Sequence, residues 1–352
     1  MTTRGRQLVK LFARILVTTA LLVWVFMQVD LGEFRQTVKM ARWEFLIAIW
    51  GLTIVLFWIR SYKMQLILKR QGCNVGCATI FGATTVTCLY SMVIPGMLST
   101  GVKWYILKRS TGKGSNVFSS MLYNQFLTVS LMMVLGFAAL IATNPTSLLI
   151  ADTGNQWVLP VVCGVSLTSV LLFALLILSK STGGKMLEII GFLLRPLPSR
   201  VRQKSREILE QIAVFQTVGW RFHLTVALIT MIGTLIGGVA TYVLAAKSAN
   251  ITVSAFVLLW LCVVIYALGR LPISVANLGI RESMLISLLS IYGVGKPAAL
   301  LMSMVLFSAL IFMAGIGAIF QLRWASAAAT SNSVRQQDKS KEIPGHDLQR
   351  EF

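Results

Sequence analysis

The chain has 352 residues, 56% apolar and 12% charged, with a formal net charge of +20 and a mean hydropathy of +0.77. Soluble domains carry about 25% charged residues, and several apolar runs here approach or exceed the ~18–20 residues that cross a hydrocarbon core, so the composition excludes an ordinary soluble domain. The positive charge does not point to nucleic acid: no recognition module of the usual kinds is visible, and Lys and Arg gather between apolar runs as they do in cytoplasmic loops of membrane proteins.

In chain order, Arg4, Arg6, Lys10 and Arg14 precede a first apolar run. It ends in Gln28-Val29-Asp30 without a small-residue cleavage site, so residues 11–29 read as a retained span rather than a signal peptide. A polar loop (30–44) leads to span two (45–59), with Trp43, Trp50 and Trp58 as an interfacial belt. Arg60, Lys63, Lys69 and Arg70 read as the basic loop that follows. Residues 77–102 are apolar but broken at Pro95-Gly96. Span three is 119–142 and span four 157–178.

The stretch 179–221 is the most basic loop. Within it Val201, Ile208, Leu209, Ile212 and Phe215 share one helical face, with Ser199 as a cap. This predicts an amphipathic helix lying on the membrane or packed under the bundle. Span five is 222–245, a second broken region covers 254–291, and span six is 297–320. The polar segment 323–352 reads as a disordered cytoplasmic tail.

Of the 32 Lys and Arg, 25 fall on the N-terminal arm, 60–70, 103–113, 180–221 and the tail. The positive-inside rule places these in the cytoplasm. Both loops flanking 77–102 are then cytoplasmic, so that segment enters and leaves from inside; by the same logic 254–291 enters and leaves from outside. The expected fold is an all-α polytopic membrane protein of six spans plus two oppositely oriented re-entrant helical hairpins, with both termini inside. Residues 10–142 and 157–322 form an inverted repeat within one transmembrane domain, 1–322. The alternative is eight plain spans.

The two breaks resemble each other. One is Ile94-Pro95-Gly96-Met97-Leu98-Ser99-Thr100-Gly101-Val102-Lys103, the other Leu271-Pro272-Ile273-Ser274-Val275-Ala276-Asn277-Leu278-Gly279-Ile280-Arg281-Glu282. Each begins with an aliphatic residue and Pro, places a capping type (Ser99, Asn277) two before a Gly, and sets a cation two after it. Backbone freed at Pro95 and Pro272 must be buried in protein or line a wet cavity. A helix restarting at Gly101 or Gly279 presents N–H groups and a dipole that favour anions. Cations at such a start are unfavourable to the helix, and an ionisable group at membrane depth is by default functional. The expected anion site is therefore Arg281, Gly279, Asn277, Pro272 and Glu282 with Lys103, Gly101, Ser99 and Pro95. The competing readings are that Arg281 only pairs with Glu282, and that Lys103 is a cytoplasmic flanking charge. Asn124-Gln125 either line a polar path or bond between helices.

No carboxylate pair, Ser/His/Asp set or metal set is visible. Cys73 and Cys77 are four apart, but the chain has only His223 and His346 to join them. No enzyme activity, metal or cofactor is expected.

These motifs resemble a known family. Leu271-Pro272-Ile273-Ser274 with Leu278-Gly279-Ile280-Arg281-Glu282 is similar to the C-terminal motif of the lysylphosphatidylglycerol synthase transmembrane-region family, also called flippase-like. Ile94-Pro95, Lys103 and Tyr105-Ile106-Leu107 resemble its earlier motif. Arg60 through Leu68, before Gly72, resembles its signature after span two. The likeness covers about residues 10–322.

It implies a multi-pass protein of the bacterial inner membrane that moves a phospholipid, or a polyprenyl-phosphate-linked lipid or glycan intermediate, between leaflets. A non-transporting scaffold for envelope lipid or glycan biosynthesis is the alternative. A homo-oligomer or contact with envelope-biosynthesis enzymes are the protein partnerships left open. The chain departs from the family pattern in Ser99-Thr100-Gly101, in Lys103 for the usual Arg, and in Asn124-Gln125 for an acidic–Arg pair. The aminoacyl-transfer domain of fused members is absent, so synthase activity is not inherited.

Overall fold

The helices follow from long apolar runs ended by specific caps. The structure, a computed structural model, describes residues 29–92, 96–145, 157–178, 217–269 and 278–341, with single positions 23, 27, 210, 211, 214 and 215 between them. A short surface helix α1 (Leu31–Lys39) is capped by Asp30, whose carboxylate accepts from the N–H of Gly32 and Glu33 at 2.6 and 3.2 Å. Helices α2 (Glu44–Arg70), α3 (Cys77–Ser91), α4 (Gly96–Thr111), α5 (Gly114–Thr143) and α6 (Val158–Leu178) follow. Then come α7 (Trp220–Ser248) with a π-helical turn at Leu235–Ala240, α8 (Ala255–Leu268), α9 (Ile280–Ser290) and α10 (Lys296–Lys341).

Among the described residues four helices are long and apolar enough to cross a membrane: α2, α5, α7 and the Lys296–Ser326 part of α10. The chain is thus a multi-pass membrane protein, and every regular element among the described residues is helical. Predicted span one lies almost wholly outside the described residues, as do most of the predicted amphipathic helix and residues 342–352. The segment read as a disordered tail instead continues α10 to Lys341; its alanines (Ala325, Ala327, Ala328 and Ala329) are the strongest helix formers.

One difference from the sequence expectation decides where the site lies. Span two does not end at Ile59. With no Pro and no Gly after Gly51, α2 runs on to Arg70. It stops where Gly72 takes a left-handed φ of 67°. There the N–H of Gly72 and of Cys73 close back onto the carbonyls of Lys69 and Leu68, at 3.2 and 3.0 Å, a Schellman ending. Arg60 and Lys63 are therefore inside a helix, not in a loop.

The two halves share a sequence of elements. In the first, α2 ends on left-handed Gly72, two short helices follow, and left-handed Gly112 precedes α5. In the second, α7 ends on left-handed Asn250, two short helices follow, and left-handed Gly293 precedes α10. At about 1.5 Å per residue α3 and α4 span roughly 22–24 Å and α8 and α9 roughly 16–21 Å, short of a ~30 Å hydrocarbon core.

The outer ends of α3 and α4 meet at one place. Asn116 Nδ2 donates to Gln71 Oε1 at 3.2 Å, and Lys113 Nζ donates to Gly72 O at 3.2 Å. Leu68, Val75, Leu107 and Val117 share one buried cluster there. The corresponding ends of α8 and α9 meet in a different cluster with Ile251, Val257, Leu289 and Ala299. Equivalent helices of the two halves run antiparallel. Arg42, before α2, donates its N–H to Ser248 O at the end of α7 (3.1 Å), while Arg70, ending α2, lies 5.2 Å from the Phe222 ring at the start of α7.

Close packing ties the elements together. A Cβ on Gly317 of α10 would fall 2.6 Å from the Thr85 carbonyl carbon of α3, and one on Gly82 would fall 2.7 Å from Phe320. The predicted-amphipathic stretch also packs under the bundle at its described end: Phe215 is buried and stacks on Tyr123, with centroids 4.2 Å apart.

Candidate functional site

A polar cavity of about 150 Å³ lies among six helices. Helix α2 contributes Ile59, Arg60 and Lys63; α3 gives Thr84 and α4 gives Lys103. Helix α5 supplies Asn124, Gln125, Thr128 and Met132, α7 supplies Ile229, Thr230, Gly233 and Thr234, and α8 supplies Tyr266. Among the described residues three cations and no acidic residue line it. Lys63 is seven residues from the end of α2, and Asn124 and Thr230 are ten residues into α5 and α7. At 1.5 Å per residue the cavity lies roughly 10–15 Å below the helix ends that carry Lys69, Arg70, Lys113 and Arg221.

Lys63 is only 5% exposed. Its ammonium donates to Thr128 Oγ1 at 3.0 Å and Thr230 Oγ1 at 3.2 Å. Those hydroxyls spend their own protons on the carbonyls of Asn124 (2.7 Å) and Val226 (2.6 Å), so each can only accept from the lysine. An ammonium has three donors, and the third is left for an occupant of the cavity. Lys103 makes no hydrogen bond or ion pair with any described residue. Arg60 is exposed, which puts it at the mouth, with its guanidinium 5.8 Å from the Phe57 ring. Asn124 Oδ1 is buried without a hydrogen-bond partner, and Gln125 Nε2 reaches Tyr266 O–H at 3.4 Å. Burying an unpaired charge is expensive, and three like charges around one small space repel. A bound anion relieves both.

The sequence-predicted residues divide. Lys103 lines the cavity. Ser99, one turn earlier, is buried at 2% exposure, and Gly101 is exposed with open space where a side chain would stand. Pro95, Pro272 and Asn277 lie outside the described residues.

Gly279, Arg281 and Glu282 are not among the cavity's lining residues; they gather with Ser303 at the start of α9. The Glu282 carboxylate accepts from the N–H of Gly279 (2.7 Å), from Ser303 Oγ (2.9 Å) and from the Arg281 guanidinium. Arg281 also donates Nε–H to Ser303 Oγ at 2.9 Å and lies 5.1 Å from the Phe307 ring. At the helix start expected to hold an external anion, the chain's own Glu282 carboxylate takes the Gly279 N–H and pairs with Arg281.

Sequence reasoning passed over Arg60 and Lys63. The available signal was their i, i+3 spacing on one helical face in a stretch with no helix breaker. Thr84, Thr128, Thr230, Thr234 and Tyr266 carry no such signal among the many Thr and Tyr of the chain.

No curated protein and no solved structure matches the chain. A family model does, over residues 11–318: the chain belongs to the family described as the lysylphosphatidylglycerol synthase TM region.

Proposed function

We propose that this protein moves an anionic lipid across the membrane through the cavity of Arg60, Lys63 and Lys103, acting as a carrier and not as an enzyme. The observation that carries the reading is three cations and no acid among the described residues around one cavity, roughly 10–15 Å below the helix ends. Membership of a lipid-related membrane family agrees with it.

In this reading α3–α4 and α8–α9 are re-entrant hairpins of opposite orientation. The supports are their short lengths, the meeting of each pair's outer ends and the antiparallel run of α2 and α7. Both hairpins reach the cavity, through Thr84 and Lys103 on one side and Tyr266 on the other. Transporters built from inverted repeats hold substrate between the repeats. In this reading the membrane is the bacterial inner membrane and both termini are cytoplasmic, an orientation supported by the positive-inside count.

The test is transbilayer movement of a fluorescent anionic phospholipid in liposomes carrying the purified protein. Wild type accelerates it and Lys63→Gln slows it by about tenfold or more, the size expected for losing a charge-assisted contact. Equal rates for wild type, Lys63→Gln and empty liposomes would defeat the reading and favour a scaffold role.

A further inference from the structure

Next to the polar cavity is a wider, open groove of about 390 Å³, lined by Trp58, Ile59, Tyr62, Cys77, Ile229 and Ile232. Among the described residues none that lines it is charged. Ile59 and Ile229 line both spaces, so the groove and the cavity share a wall. Trp58, Tyr62 and Ile232 are 43%, 51% and 48% exposed, on two helices long and apolar enough to cross a membrane. Along α2 the two surfaces alternate by helical spacing. Trp58 and Tyr62, four apart, face the groove; Ile59 and Lys63, also four apart, face the cavity. Little more than one turn of helix thus presents an apolar surface beside a cationic one.

We infer that the site binds a lipid with a small terminal phosphate, a monoester such as phosphatidate or a polyprenyl monophosphate, its phosphate among Arg60, Lys63 and Lys103 and its chain in the groove. This rests on the anion-carrier reading above and narrows its substrate. Size and charge both point to this class. A cavity of about 150 Å³ accepts a group the size of one benzene ring, which suits a phosphate and excludes a sugar chain. Three cations with no acid among the described lining residues match a dianion and repel a headgroup that carries an added ammonium, such as an aminoacylated phosphatidylglycerol. The groove distinguishes a lipid phosphate from free phosphate, because only the lipid gains by burying hydrocarbon there.

The experiment uses the full chain in nanodiscs of zwitterionic phosphatidylcholine. The probe is phosphatidate with brominated acyl chains, read by quenching of tryptophan fluorescence. Competitors are farnesyl monophosphate, inorganic phosphate and lysylphosphatidylglycerol. The expected result is saturable quenching, largely lost in Trp58→Phe. Farnesyl monophosphate should compete at least about tenfold better than inorganic phosphate or the lysyl lipid. Lys103→Gln should weaken binding by about tenfold, and Lys103→Arg should hold it within about threefold, which separates lost charge from lost fold.

Equal competition by inorganic phosphate, equal binding of the lysyl lipid, or unchanged affinity in Lys103→Gln each overturns the inference. If lipid phosphates bind as stated but do not cross faster in liposomes, the carrier reading fails and this assignment stands. If they cross in liposomes and Lys103→Gln binds them like wild type, this assignment fails and the carrier reading stands.

Discussion

Lys63 and Thr230 are 167 residues apart in the chain and 3.2 Å apart in space. Their hydrogen bond joins equivalent helices of the two halves at a buried ammonium. The contact is a poor source of stability, because the charge it holds has been taken out of water. Lys63→Met keeps the length and volume of the side chain and removes the charge. It is expected to leave the fold as stable or up to about 2 kcal/mol more stable. Thermal unfolding and lipid movement measured on the same sample should therefore go in opposite directions. A variant that loses stability and activity together would show Lys63 to be structural.

The Arg281–Glu282–Ser303 cluster should behave in the opposite way. Removing one partner of a buried pair leaves the other uncompensated and costs about 3–5 kcal/mol. Arg281→Met and Glu282→Gln are each expected to lower the unfolding temperature sharply, and the double variant should recover much of the loss. Phosphatidate affinity of the folded fraction should stay near wild type. A selective loss of affinity in Arg281→Met, with stability intact, would return Arg281 to the binding site.

Gly317 tests the contact between α3 and α10. Any side chain there meets the Thr85 backbone, and backbone cannot give way as a side-chain tip can. Gly317→Ala is expected to cost about 1–3 kcal/mol through forced separation of the helices. Gly315, two residues earlier, has open space at its Cβ position, so Gly315→Ala is expected to be neutral or to stabilise slightly through helix propensity. Unfolding curves of the two variants check this; equal effects would refute the packing account.

Orientation of the short helices is read by labelling with an impermeant maleimide. Lys108→Cys on α4 should label only from the cytoplasmic side and Ser290→Cys on α9 only from the other side. Native Cys73, at the foot of α2, should add little background at neutral pH. Burial pushes its thiol pKa up, with Lys113 offsetting part of the shift, so its reactive thiolate forms only as the pH rises above its usual range. Labelling of Lys108→Cys from outside would defeat the hairpin reading.

Much of the architecture was legible in the sequence because apolar runs report spans directly. The central break near Pro95 and the basic loops on both sides of it pointed to a short helical pair. What the sequence hid was depth. Counting Lys63 as a loop charge follows from the rule that charge ends a span; the structure continues α2 past it and repays the buried ammonium with two threonines from distant helices. Lys103 was singled out as a cation in the first turn of a helix restarting at Gly101, but α4 already starts at Gly96, so Gly101 and Lys103 lie inside it and no open helix start stands there; Lys103 borders the cavity with residues of α2, α5 and α7. Arg281 misled through adjacency. Neighbouring helical residues point about 100° apart, so spacing did not favour the pairing with Glu282, which the sequence offered as the competing reading. It forms because Glu282 turns back to cap Gly279 and Ser303 bridges the two.

The unequal charging of the two short-helix pairs has an electrical consequence. Among the described residues Arg281 and Glu282 cancel at the start of α9. The other pair borders a cavity of three positive charges. A membrane potential acts on each elementary charge with about 2.3 kcal/mol per 100 mV for full passage through the field. The voltage therefore couples to motions of α2 and α4 and little to motions of α9. A docked phosphate dianion cancels two of the three charges, so the charge displaced in a voltage step reports directly whether the cavity is filled.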